Sequence, residues 1–174
     1  MQNISPYNSV CKVQVPTHQG DFEIIATDAG VAMVFFPEIP KVVIQRRMER
    51  CGLSFGSSGK RMAARAGVDL TGYLRGETTE FSVPVDLSFH TPFRRDVYRA
   101  LGAVPFGETI TYGELAALAG HPGKARAVGR AMGDNQAPIF VPCHRVVSAS
   151  GGIGGWSGPR GWKETLLELE GVKL

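Results

Sequence analysis

One seven-residue stretch limits what this chain can fold into: Val141-Pro142-Cys143-His144-Arg145-Val146-Val147. It sets a thiol, an imidazole and a guanidinium side by side, with apolar β-branched residues on both flanks. With Ile139-Phe140 before it, the first flank reads as the end of a buried strand, and Pro142 as the turn that follows. A fold that accepts this stretch must enclose Cys143 in part. A base beside such a cysteine can hold it as thiolate, the nucleophilic form. The plainer alternative is a buried structural cysteine, because groups that activate a thiol are usually spatial rather than sequential neighbours.

The other cysteines, Cys11 and Cys51, form no CxxC pair with each other or with Cys143. A disulfide framework is not expected, and a reducing compartment fits. Cys11 and Cys51 with His18 or His90 lack any short metal-ligand spacing, so no metal is expected. No apolar run is long enough to span a membrane. The start, Met1-Gln2-Asn3-Ile4, lacks the basic-then-apolar order of a signal peptide, so a cytoplasmic location is expected. Nothing signals oligomerisation, and a monomer is expected.

In the first half, residues 1–20 carry Pro6, Pro16 and little periodicity, and read as a frayed start. Residues 22–27 and 31–36 read as two strands joined at Asp28-Ala29-Gly30, a hairpin. Residues 41–50 suit a strand or a short helix equally. The Gly/Ser-rich 51–59 reads as loop. Residues 61–74 have helical spacing (Met62, Ala66, Leu70, Leu74), interrupted by Gly67 and Gly72, and read as a broken helix. Residues 80–87 alternate as a strand that Pro84 confines to an edge. A boundary falls near Ser88 to Pro92.

In the second half, Thr91 is placed to cap a helix with Pro92 at its first position, and Phe93, Val97, Leu101 and Val104 form its apolar stripe. Thr111-Tyr112-Gly113-Glu114 has capping-box form and opens a short helix. Gly120-His121-Pro122-Gly123 ends it, and a second helix runs from about Lys124 to Met132. Two short helices joined by a Gly/Pro turn have the form of a helix-turn-helix. The second is made almost entirely of very small and basic residues. Small residues permit close approach, and cations attract phosphate. Charge agrees: residues 1–88 hold nine Lys/Arg and nine Asp/Glu, so the net +3 of the chain lies wholly in residues 89–174. Ser148 to Gly161 is a Gly-rich loop without a phosphate-binding pattern, suited to close approach to a flat ligand, with Trp156 as a wall. Trp162, Leu166 and Leu169 mark a closing helix. Glu170 sits at its C-terminal end, where the dipole disfavours a carboxylate and a paired role would explain it.

These pieces together resemble the O6-alkylguanine-DNA alkyltransferase family. The core Pro142-Cys143-His144-Arg145-Val146 matches its active-site motif. Phe106-Gly107-Glu108-Thr109 with Thr111-Tyr112, then Ala125-Arg126-Ala127-Val128-Gly129, Asn135 with Pro138-Ile139, and Lys163-Glu164 with Leu166-Leu167 and Glu170-Gly171 match segments around it. The likeness is strong over about residues 91–172 and holds only in pattern before them.

The resemblance implies an α+β protein. Residues 1–88 would form an N-terminal ribonuclease H-like α/β domain. Residues 89–174 would form a mostly helical DNA-binding and alkyl-acceptor domain with a helix-turn-helix. It implies irreversible, single-turnover transfer of an alkyl group from guanine O6 (less readily thymine O4) in double-stranded DNA to Cys143, without a cofactor. His144 would activate Cys143, Glu170 would orient His144, and Tyr112 would protonate the leaving base. Backbone groups of Cys143, Val146 and Ser157 would bind the flipped base, with Trp156 beside it. Arg126 would fill the gap in the stack, with Ala125, Ala127 and Gly129 on the same recognition helix. Asn135 would brace the turn into the motif near Pro138, and Arg145 would anchor the motif.

Two residues depart from the family's habit. Trp156 stands where Tyr or Phe is common, and Pro159 replaces a usual Gly, so the range of alkyl groups accepted is open. Two other readings remain: a lesion binder that recruits repair factors and leaves Cys143 unmodified, and a Cys-His hydrolase of small acyl substrates.

Overall fold

The computed structural model describes residues 9–150 and 152–173. The chain divides into two compact units, Met1–His90 and Thr91–Leu174. Both mix helix and strand, as expected of an α+β protein.

In the first unit, β1 (Ser9–Thr17), β2 (Gly20–Thr27) and β3 (Gly30–Phe35) form an antiparallel meander, and β4 (Ser54–Phe55) adds to β1 in parallel. The sheet order is β3-β2-β1-β4. The expected hairpin is present as β2 and β3. Strand β1 is a correction. Pro16 and thin periodicity suggested fraying, yet β1 pairs with β2 from Cys11 to Thr17. The rest of the expected frayed start, residues 1–8, lies outside the described residues.

Successive side chains of a strand point to opposite faces. One face of this sheet buries Val10, Ile25, Met33 and Phe35 against Ile44 and Met48 of α1 (Lys41–Arg50). This settles the undecided segment as helix. The other face carries Val13, Val15, Phe22 and Ile24, over which α2 (Lys60–Leu74) packs. Helix α2 is continuous, not broken. Gly67 is buried against the sheet, where a Cβ would lie 3.4 Å from Val15 Cγ2, an ordinary contact, so packing on the sheet carries the helix through the glycine. Covered on both faces, β3 is buried at every position.

The strand expected at residues 80–87 is replaced by an irregular segment touching the sheet at one bridge, Val31 to Val85. Buried Asp86 fixes it, accepting from Thr27 Oγ1 at 2.7 Å and from the Ser88 N–H at 3.0 Å.

In the second unit, α3 (Pro92–Gly102) has Pro92 at its start, but the Thr91 side chain makes no cap bond. Strand β5 (Ile110–Thr111) leads into α4 (Tyr112–Leu118). The capping box is complete: Thr111 Oγ1 accepts from the Glu114 N–H, and the Glu114 carboxylate accepts from the Thr111 N–H at 2.9 Å. Helix α5 (Ala125–Gly133) follows a turn in which His121 packs on Phe93 and lies 3.2 Å from Asp96. Strand β6 (Val146–Val147) runs parallel to β5, with Ile110 opposite Val146 and Thr111 opposite Val147. Helix α6 (Trp162–Leu169) closes the unit and buries Lys163, Leu166 and Leu167.

Candidate active site

The site grows from the end of α5. Asn135 grips the chain that follows: its Oδ1 accepts from the Ala137 N–H, and its Nδ2 donates to the Val141 carbonyl at 3.0 Å. Between these points the chain makes a tight turn, with Pro138 bridged to Val141 and Ile139 at φ 76°. The expected strand over Ile139-Phe140-Val141 is therefore absent. A β-branched residue in the left-handed region is strained, and full burial of Ile139 holds it there. A single 3-10 turn, Cys143–Arg145, follows and delivers the chain to β6.

This turn points three side chains inward. His144 is fully buried, and its Nε2 lies 2.8 Å from Glu170 Oε1. Arg145 donates from Nε to Glu170 Oε2 at 2.9 Å, from Nη2 to Oε1 at 2.9 Å, and from Nη1 to the Val104 carbonyl at 2.6 Å. The Gly107 N–H also donates to Glu170 Oε2, and the Arg145 guanidinium lies 6.0 Å from the Phe106 ring centre. One buried carboxylate thus joins the Phe106-Gly107 segment, both basic residues of the turn and the end of α6. A charge taken from water is held only if paired and hydrogen-bonded, and Glu170 is both. Burial pushes the His144 imidazole below its usual value, against the upward pull of Glu170, so the ring is neutral at pH 7.

Cys143 is 4% exposed. Burial pushes its thiol up; hydrogen bonds from Trp156 and Asn135 and the nearby charge of Lys163 pull the other way. The resting sulfur is a protonated thiol that needs a base. The Trp156 indole donates from Nε1 to Cys143 Sγ at 3.2 Å. The loop carrying Trp156 is tied down by Lys163 Nζ, which donates to the Ile153 and Val146 carbonyls at 2.6 Å each, and by Tyr112, whose hydroxyl donates to the Gly155 carbonyl at 2.9 Å. Burial and the Cys143 charge raise the Tyr112 phenol, which keeps its proton. Ser157 Oγ reaches the Gly133 carbonyl at 3.4 Å.

Cys143, His144, Glu170, Tyr112, Trp156, Asn135, Val146 and the Pro138 turn are thereby drawn into one neighbourhood. Arg126 lies exposed on α5, with Ala125, Ala127 and Gly129 partly exposed on the same helix, and a Cβ at Gly129 would lie 3.9 Å from the Tyr112 ring. Lys163 is the residue sequence reasoning missed. Its signal was its place three residues before Leu166 and seven before Glu170, on the buried face of α6. Among the described residues, no group of three or more His, Cys, Asp or Glu is placed to hold a metal, and no helix is long and apolar enough to cross a membrane.

Residues 92–172 match the family model described as 6-O-methylguanine DNA methyltransferase, DNA binding domain. A methylated-DNA--protein-cysteine methyltransferase of Mycolicibacterium paratuberculosis is 50% identical over 110 residues, which cover 63% of this chain and 66% of that protein. That stretch is just under two thirds of the relative's length. The likeness in three dimensions is broader. The crystal structure of Mycobacterium tuberculosis O6-methylguanine methyltransferase matches with a TM-score of 0.74 at 35% identity, covering 92% of each chain. A crystal structure of the same organism's protein in complex with DNA matches with a TM-score of 0.74 at 35% identity, covering 93% of this chain and 92% of that one.

Proposed function

Because the chain belongs to the 6-O-methylguanine DNA methyltransferase family, we propose that it repairs DNA by moving an alkyl group from guanine O6 (less readily thymine O4) to Cys143, once per molecule. The observation that carries this reading is the buried Cys143 thiol, next in the chain to a buried His144 whose Nε2 lies 2.8 Å from Glu170 Oε1. This is the nucleophile, base and orienter of a triad, built on sulfur.

The damaged guanine leaves the stack to reach an enclosed sulfur. His144 takes the thiol proton through a water, using Nδ1, since Nε2 is held by Glu170. Sulfur attacks the alkyl carbon; the S–C bond forms as the C–O6 bond breaks, and the electron pair stays with the base. Tyr112 turns its proton from Gly155 to guanine N3, so the base departs neutral. Backbone groups of Cys143, Val146 and Ser157 hold the base. Arg145 and Asn135 keep the turn in shape. The thioether has no route back to thiol.

Helices α4 and α5 act as the helix-turn-helix, set in the minor groove of double-stranded DNA. Exposed Lys124, Arg126 and Arg130 meet phosphate, and Arg126 fills the vacated stack. Ala125, Ala127 and Gly129 allow the close approach. Thr91–Leu174 is the acceptor and DNA-binding domain. The meander order of β1 to β3 with parallel β4, and a helix on each face, supports a ribonuclease H-like reading of the first unit. A monomer in the cytoplasm, needing no cofactor, suits this chemistry.

The test is intact mass after incubation with duplex DNA holding one O6-methylguanine. The expected gain is one CH2 per protein, mapped to Cys143 and absent in Cys143→Ala. Unchanged mass with lesion-selective binding would favour the recruiting protein, and turnover of a small acyl ester the hydrolase.

The rate of transfer should depend on pH with a fixed sign. A protonated His144 cannot accept the thiol proton. Its depressed value keeps the rate level down to about pH 6.5, the ordinary value of the group, and the rate falls at more acid pH. Single-turnover rates from pH 8 downward check this, and a rate that already falls with acid between pH 8 and about 6.5, or that rises as the pH falls, rules out a neutral His144 as the base.

A further inference from the structure

We propose that the Trp156 indole is a positioning group for the acceptor sulfur: its N–H holds Cys143 Sγ in the unreacted protein, favours the thiolate, and releases the sulfur once it carries an alkyl group. This deepens the reading of Cys143 as alkyl acceptor and rests on it. An indole nitrogen donates and cannot accept, and this one ends on the sulfur at 3.2 Å. Its ring is seated by the backbone. A Cβ at position 158 would stand 2.2 Å from Trp156 Cη2 and 2.4 Å from Cζ3, so only glycine leaves room for the indole. The main chain beneath the ring is tied at Ile153 by Lys163 and at Gly155 by Tyr112.

The donor suits one state of the sulfur more than the others. A hydrogen bond to an ionised acceptor is about twice as strong as one to a neutral acceptor. The indole therefore gains most when Cys143 loses its proton. Alkylation removes that charge and adds bulk at the contact, so the product sulfur holds the indole least. The other groups around the sulfur are Lys163 from α6, Tyr98 from α3, Tyr112 from α4, and His144 with its Glu170 and Arg145 partners. Both phenols are raised and stay neutral near pH 7, so the indole, the Asn135 amide and Lys163 are the side chains that favour a thiolate there.

The test follows labelling of Cys143 by iodoacetamide against pH, read by peptide mass. In this reaction the S–C bond forms, the C–I bond breaks, and iodide leaves with the electron pair. No DNA is involved, so the outcome stands apart from whether alkylguanine is the substrate. The midpoint of the rate curve is the readout, because it does not depend on how freely the reagent enters. Trp156→Phe should raise the midpoint by about one unit. Gly158→Ala, which removes no side chain and pushes the indole off its seat, should raise it too. The double variant should go no higher than Trp156→Phe alone. A native midpoint in either single variant would overturn the proposal.

Discussion

Glu170→Ala should cost about 3 to 5 kcal/mol of stability, the usual penalty for removing one partner of a buried ion pair. The carboxylate accepts from His144, from two nitrogens of Arg145 and from the Gly107 N–H, and its side chain is fully buried. Its loss strands a guanidinium that cannot shed its proton and leaves it the bond to the Val104 carbonyl. Against a total of about 5 to 15 kcal/mol for a typical domain, this is a large fraction. For a unit of this size the thermal midpoint should fall by at least about 12 °C. Glu170→Gln keeps the volume and one acceptor oxygen but turns an amide N–H toward groups that already donate, so it should fall between alanine and the native protein. Urea unfolding with constant slope gives the difference directly. Raising the salt to 1 M should not reproduce it, because a buried pair is poorly screened. If Glu170→Ala unfolds within about 1 kcal/mol of the native protein, less than the cost of a single surface cap, the network carries little of the fold.

Lys163→Met is the second large effect. Methionine fills nearly the same space as the lysine stem but gives up the ammonium, and with it two bonds of 2.6 Å to the Val146 and Ile153 carbonyls. Charged hydrogen bonds contribute about 1.5 to 3 kcal/mol each, and some of this returns as water reaches the partly exposed Ile153; about 2 to 4 kcal/mol is expected. The change should also raise the pH midpoint of Cys143 labelling, since the Lys163 charge favours the thiolate. Thermal unfolding and the labelling curve read the two consequences separately. Lost stability with an unmoved midpoint would reduce Lys163 to a strut.

Elements that depend on local rules were legible in the sequence. The Asp28-Ala29-Gly30 turn, the Thr111 and Glu114 box and Pro92 at the head of α3 each follow from a few adjacent residues, and each is present. Elements that depend on a distant surface were not. Strand β1 alternates only from Cys11 to Val15, a short pattern that Pro16 obscures, and pairing with β2 along its length is what fixes it. Helix α2 stays whole through Gly67 because its buried face packs on the sheet. Ile139 adopts a conformation that no β-branched residue favours, because Asn135 and the core hold it. The site divides in the same way. The motif at Cys143 to Arg145 is contiguous and visible. The pairing of Glu170 was suggested by its poor fit to a helix end. The closing helix was read with Trp162, Leu166 and Leu169 as its stripe, whereas Lys163, Leu166, Leu167 and Glu170 face inward. Two charges at the ends of an apolar stripe resemble a solvated edge until the groups they bind are in view.

The loop over the sulfur is held by its main chain. Lys163 and Tyr112 grip carbonyl oxygens, at Ile153 and Gly155, which every amino acid supplies. The path of the loop is thus nearly independent of which side chains it bears. Natural variation or directed evolution can exchange the residue at position 156 without rebuilding the frame. Gly158 sets the limit on that freedom. It is tolerant of smaller rings at 156, but it is tied to the indole, so the two positions should drift together across lineages.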